Sequence, residues 1–93
     1  SSLVTEHVAC VEGDGIALVL AWRPEADAAP RLARVGRGDG ARALTRDAAA
    51  AAIPIHNDSA LAASLAAGRE VGDAIDERDY EAVAELLTPP AAS

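Results

Sequence analysis

His7-Val8-Ala9-Cys10-Val11, Glu12-Gly13-Asp14-Gly15 and Ile16-Ala17-Leu18-Val19-Leu20-Ala21-Trp22 follow one another without interruption. Two short apolar runs rich in β-branched residues, flanking a Gly-containing break, predict two strands joined by a tight turn. The second run is apolar at every position, as a strand covered on both faces must be.

Downstream, Arg23–Pro30 is a polar excursion containing Ala and Pro, expected as a surface loop. Arg31-Leu32-Ala33-Arg34-Val35 is a candidate third strand, and Gly36-Arg37-Gly38-Asp39-Gly40 breaks the pattern before a helix. Leu44, Ala48 and Ala51 give that helix an apolar face, the Ala run 48–52 has high helix propensity, and Pro54 stops it by Ile53. Ile53–His56 reads as a very short strand. Asn57-Asp58-Ser59 offers N-caps for a helix through Leu61 and Leu65 to Ala67, closed by Gly68. Val71–Ile75 reads as an extended link. Asp76 is the expected cap of a last helix whose apolar side carries Tyr80, Val83, Ala84 and Leu87, ended by Pro89-Pro90. The order hairpin, strand, helix, strand, helix, helix predicts an α/β fold: a small sandwich of about four strands with flanking helices. Its strand–helix–strand unit should be parallel with a right-handed crossover.

Composition narrows the function. The 93 residues carry 15 acidic against 8 basic side chains, a formal charge of −7, which disfavours nucleic acid as a partner. One domain over 1–93 is expected, with 1–6 and 88–93 frayed, and a chain of this length buries only about 60–65% of its unfolded surface. Half the residues are apolar but 24 of them are Ala, so the core should be thin and its layers close. The longest apolar run, Ile16–Trp22, is far short of the ~20 residues that cross a bilayer, and no signal-peptide pattern opens the chain. Cys10 is alone, which suits a reducing compartment.

Chemistry is sparse. His7 and His56 are isolated, with no metal-ligand spacing around them. Cys10 sits in an apolar strand with no basic neighbour to activate it. Gly36–Gly40 before a helix lacks the Lys and Ser/Thr of a phosphate loop. Asp76, Glu77, Asp79, Glu81 and Glu85 are spaced as a solvated helix face with favourable charge in the first turn. Residues alone therefore stop at an α/β interaction domain with no catalytic site, no metal and no cofactor.

Several segments recur together, however. Ala29-Pro30-Arg31, Gly36, Ile53-Pro54-Ile55, Leu61-Ala62 with Leu65, Val71-Gly72-Asp73-Ala74-Ile75 and Tyr80-Glu81-Ala82-Val83-Ala84-Glu85-Leu86-Leu87 stand in one order. With Ile16–Leu20 in front, the chain resembles the cytoplasmic domain of the FlhB/YscU/SpaS family from Val8 to Leu87 without a gap. These are the export-switch proteins of bacterial flagella and type III secretion injectisomes. The resemblance implies a substrate-docking and specificity-switch domain at the cytoplasmic face of the inner membrane. Its implied partners are export substrates, a length-control (ruler) protein and the large export-gate subunit. Membrane attachment would come only through an N-terminal transmembrane part missing from this sequence.

In that family the hairpin break carries Asn-Pro-Thr-His. The Asn amide attacks its own carbonyl, a succinimide forms and the chain splits before Pro. The positions here are Glu12, Gly13, Asp14 and Gly15, all different. An ionised Glu is a poor nucleophile with a less favoured ring closure, and Gly13 lacks the restraint of Pro. The expectation is a domain that does not self-cleave. The family's apolar docking patch, an Ala-Pro pair with an Ala and a Leu of the last helix, maps to Ala29, Pro30, Ala84 and Leu87, all matching. Two other readings stand beside this one: a switch protein that still autocleaves through an altered motif, and an unrelated small α/β module binding a ligand at Gly36–Gly40.

Overall fold

The computed structural model describes residues 7–23 and 29–87. β1 (His7–Gly13) and β2 (Ile16–Trp22) form the hairpin, paired from His7↔Trp22 to Gly13↔Ile16. β3 (Arg31–Arg37) follows, then α1 (Asp39–Ala50), β4 (Ile55–Asn57), α2 (Ser59–Ala66), a 3₁₀ turn at Glu77–Asp79 and α3 (Tyr80–Leu87). The sheet order is β3-β2-β1-β4, antiparallel except for the parallel pairing of β1 with β4. β3 and β4 therefore run in the same direction, as the strand–helix–strand unit requires. The expected frayed ends, 1–6 and 88–93, lie outside the described residues, as does most of the expected loop, 24–28.

Strand alternation divides the core into two layers. Ala9, Val11, Leu18 and Leu20 point to one face, where Leu32, Ala62, Leu65, Ala66, Ile75, Val83 and Leu87 meet them. Cys10, Ala17 and Val19 point to the other, against Ala41, Leu44 and Ala48 of α1. The β2 run is buried on both sides, as its unbroken apolarity predicts. The α1 layer is built largely from small side chains, so the abundance of Ala becomes a helix seated close to the sheet. Ala51, expected on the buried face of α1, is exposed at the helix end, and Ala41 takes that role.

β3 runs past the expected Val35, Gly36 and Arg37 pairing with Ala17 and Ile16, and it contains a bulge. Its register against β2 shifts between Val19↔Arg34 and Leu20↔Leu32, leaving Ala33 as the extra residue. A bulge turns two successive side chains toward the same side. Ala33 packs on the α1 layer, while Leu32 and Val35, three apart, both reach the α2–α3 layer. Gly36 belongs to the strand and not to a loose helix entry. A Cβ there would stand 2.6 Å from the Gly40 carbonyl oxygen, so the glycine is what lets β3 and the start of α1 touch.

The 71–75 segment is not a free link. Leu32 N–H donates to Asp73 O, Gly72 N–H to Leu32 O and Ile75 N–H to Pro30 O, at 2.8–3.1 Å. It lies along the outer edge of β3 and buries Ile75.

Candidate functional site: the hairpin turn and the last helix

Two regions carry the residues singled out from sequence. The first is the β1–β2 turn. Asp14 (φ 56°) and Gly15 (φ 74°) are both left-handed, the two-residue primed turn that Asp-Gly favours because its twist matches that of the strands. Gly13 and Ile16 close the hairpin on either side. Glu12 lies on the α1 face of β1, on the same side as Cys10, and is half-buried.

Two helix starts converge on this turn. Gly38 N–H, just before α1, donates to Gly15 O at 2.9 Å, and Asp58 N–H, at the cap of α2, donates to Glu12 O at 2.9 Å. Asp58 also caps α2 as expected, its Oδ1 accepting from Leu61 N–H at 3.0 Å. An open cleft of about 430 Å³ lies beside the turn, lined among others by Glu12, Asp14, Asp39, Arg42, Asn57 and Ser59. Three carboxylates and one guanidinium make its walls predominantly acidic.

The Cys10 thiol is pushed up by burial and, secondarily, by the Glu12 charge, the reverse of what a reactive thiolate needs. His7 stands against Trp22 at the far end of the hairpin, ring centroids 6.2 Å apart. His56 lies in β4 beside Val11, its Nε2 buried without a hydrogen-bond partner. Among the described residues no group of three or more His, Cys, Asp or Glu could hold a metal ion.

The second region is α3 and its supports. Ala84 is half-buried and Leu87 is buried, one turn apart on the same side of α3. Ala29 is half-buried and Pro30 is buried just before β3. Leu87 is in the core layer with Leu32, so of the four residues only Ala29 and Ala84 offer substantial surface. Tyr80, expected on the apolar side, is 39% exposed.

Asp79 departs from the solvated face on which its spacing placed it. It is buried and accepts from the Ser64 hydroxyl at 3.2 Å, joining α2 to the start of α3. Asp76 precedes the 3₁₀ turn without a side-chain cap bond; its carboxylate instead pairs with Arg69. Arg69 is itself buried and donates through Nη1 to the carbonyls of Ser64 (2.8 Å), Leu65 (3.1 Å) and Ala67 (3.3 Å). One guanidinium thus satisfies the carbonyl end of α2 and ties it to the approach to α3. Sequence reasoning missed this residue, although a basic side chain just past a helix C-terminus is where such a bond forms.

Relatives share this frame. The profile of the FlhB HrpN YscU SpaS family matches residues 8–89. This chain belongs to that family. Flagellar biosynthetic protein FlhB of Aquifex aeolicus (strain VF5) is 36% identical over 72 residues, covering 77% of this chain and 21% of that protein. The chain spans about a fifth of the length of that FlhB relative. Among solved structures, a mutated EscU C-terminal domain with asparagine replaced by aspartate superposes with a TM-score of 0.79 at 28% identity, covering 85% of each chain. A second mutated EscU C-terminal domain, with proline replaced by alanine, matches with a TM-score of 0.82 over 92% of this chain and 89% of that one; at 24% identity it bears on the fold alone. Both regions described above, the hairpin turn and α3, lie inside the part matched by the family profile. No helix among the described residues is long and apolar enough to cross a membrane.

Proposed function

We propose that this chain is a substrate-docking and specificity-switch domain of a bacterial type III protein export apparatus, and that it does not self-cleave. The observation that carries the reading is the turn. The four positions that bear Asn-Pro-Thr-His in the resemblance are Glu12, Gly13, Asp14 and Gly15, folded as a closed primed hairpin. Residue 12 carries a carboxylate in place of the side-chain amide that would close on its own carbonyl carbon, and the peptide after Glu12 is an ordinary secondary amide held in the sheet. The domain works by shape, without a cofactor and without enzymatic chemistry, at the cytoplasmic face of the inner membrane. Its partners are export substrates, a length-control protein and the large export-gate subunit. Intact mass under denaturing conditions tests the first half: one species of full chain mass is expected, and two fragments divided between residues 12 and 13 would refute it.

Docking is assigned to Ala29, Pro30, Ala84 and Leu87. The burial pattern decides how to test it. Pro30 and Leu87 are buried and a charge at either would disturb packing, whereas Ala29 and Ala84 are half-open. The double substitution Ala29→Asp/Ala84→Asp should leave the circular dichroism spectrum and Tm close to wild type. It should also weaken retention of a purified export substrate by roughly tenfold or more, the loss expected from a charge placed in a small apolar contact. Unchanged retention would remove the patch from the function.

A further inference from the structure

We infer that the start of α2 is seated so close to the end of β1 that the residue after Glu12 can only be glycine while α2 keeps its place. The inference deepens the reading of an uncleaved switch domain and takes its biological meaning from that reading. Its physical basis is separate. A Cβ placed on Gly13 would lie 2.5 Å from Ser59 Cα, 2.6 Å from Ser59 Oγ and 2.7 Å from Ser59 N. Two of those three atoms are backbone, at the first residue of α2, and no rotamer change moves them away. By contrast, a Cβ on Gly15, one residue beyond Asp14, meets nothing within 4 Å, so the crowding is confined to the strand side of the turn.

The two hydrogen bonds at the turn act in the same sense. Asp58 N–H holds the Glu12 carbonyl from the α2 side, and Gly38 N–H holds the Gly15 carbonyl from the α1 side. Residues 12 to 15 are pinned at both ends by backbone groups belonging to helix starts. α2 in turn is seated on the sheet through Ala62, Leu65 and Ala66, all buried. Making room for a side chain at position 13 therefore requires shifting the start of α2 against the core on which it is seated. Writing Asn-Pro at 12–13 would put a ring where the α2 backbone stands and would remove the Gly13 N–H as well.

Three variants test this, read by Tm and intact mass. Gly13→Ala, which adds one carbon, should lower Tm by roughly 5–15 °C, the scale of an overpacked core position in a domain of this size. Glu12→Asn alone should fold with a Tm near wild type. Glu12→Asn/Gly13→Pro should remain a single chain, either unfolded or with a Tm below that of Gly13→Ala. A Gly13→Ala protein melting within about 2 °C of wild type, or a double variant that folds stably and splits between 12 and 13, overturns the inference. Wild-type protein that splits would instead overturn the uncleaved reading and leave the steric closure standing. A double variant that fails to fold while Glu12→Asn folds supports the closure.

Discussion

Leu18→Ala is expected to cost about 2–5 kcal/mol and to lower Tm by roughly 10–25 °C. Leu18 is fully buried at the middle of β2 and belongs to the layer in which the sheet meets α2 and α3. Its neighbours in that layer are held by three different elements: Ala62 and Leu65 by α2, Val83 and Leu87 by α3, and Leu32 by β3. Because these elements are fixed independently, they do not all collapse into the void, and the cavity term persists. A domain of this length has a total stability of only about 5–10 kcal/mol, so the variant should melt at a much lower denaturant concentration, with an unchanged slope if folding remains two-state. The same truncation at Val19, on the α1 side, removes less carbon from a layer of small residues and should cost less. A Leu18→Ala protein within about 1 kcal/mol of wild type would mean that the two faces are not packed as described.

Arg69→Ala is the second large effect, and it reaches the docking region indirectly. The substitution removes the donor from three carbonyls at the end of α2 and from Asp76 at once. Orphaning acceptors in a partly buried setting should cost about 2–3 kcal/mol. Little of that comes from the ion pair itself, because the Asp76 side chain is 54% exposed and solvent screens it. Losing the tie should also loosen the 3₁₀ turn and α3, so amides of residues 77–87 should exchange faster than those of β1 and β2. The pH dependence has a definite sign. The Arg69 hydrogen bond holds the Asp76 carboxyl below the usual range, reinforced by the charges of Arg69 and Arg78 and partly opposed by desolvation. A carboxylate with a depressed folded value stabilises above its unfolded value, about 3.9, and that contribution is lost as pH falls through the folded one. The difference between wild type and Arg69→Ala should therefore be largest near neutrality and narrow below about pH 4. A gap that widened in acid would contradict the pairing.

Much of the fold is legible in local chemistry. Asp14-Gly15 between two β-branched runs specifies a primed hairpin, and an unbroken apolar β2 specifies cover on both faces. Asp58 ahead of Leu61 marks the start of α2, and Pro54 bounds the helix before it. What escapes local reading is set by distant parts of the chain. Leu32 and Val35 share a face only because a bulge at Ala33 breaks the alternation, and the Gly72–Ile75 pairing that covers that edge has no signature in either segment. Asp79 fits a solvated helix face by spacing, yet Ser64 from α2 receives it in the interior. The site follows the same rule. That Glu12–Gly15 form a turn is readable from composition; that Gly13 must be glycine is not, because the atoms that demand it belong to Ser59, 46 positions along the chain. Likewise the match at Ala29, Pro30, Ala84 and Leu87 does not reveal that half of those side chains are spent on the core.

The edges of the sheet have a consequence of their own. One border strand, β4, is three residues long, and the other, β3, carries Arg31, Arg34 and Arg37 while the Gly72–Ile75 segment runs beside its first half. Short, charged or occupied borders give a neighbouring copy no template on which to add a strand. Edge-to-edge growth of the sheet from one copy to the next is thereby disfavoured at both borders.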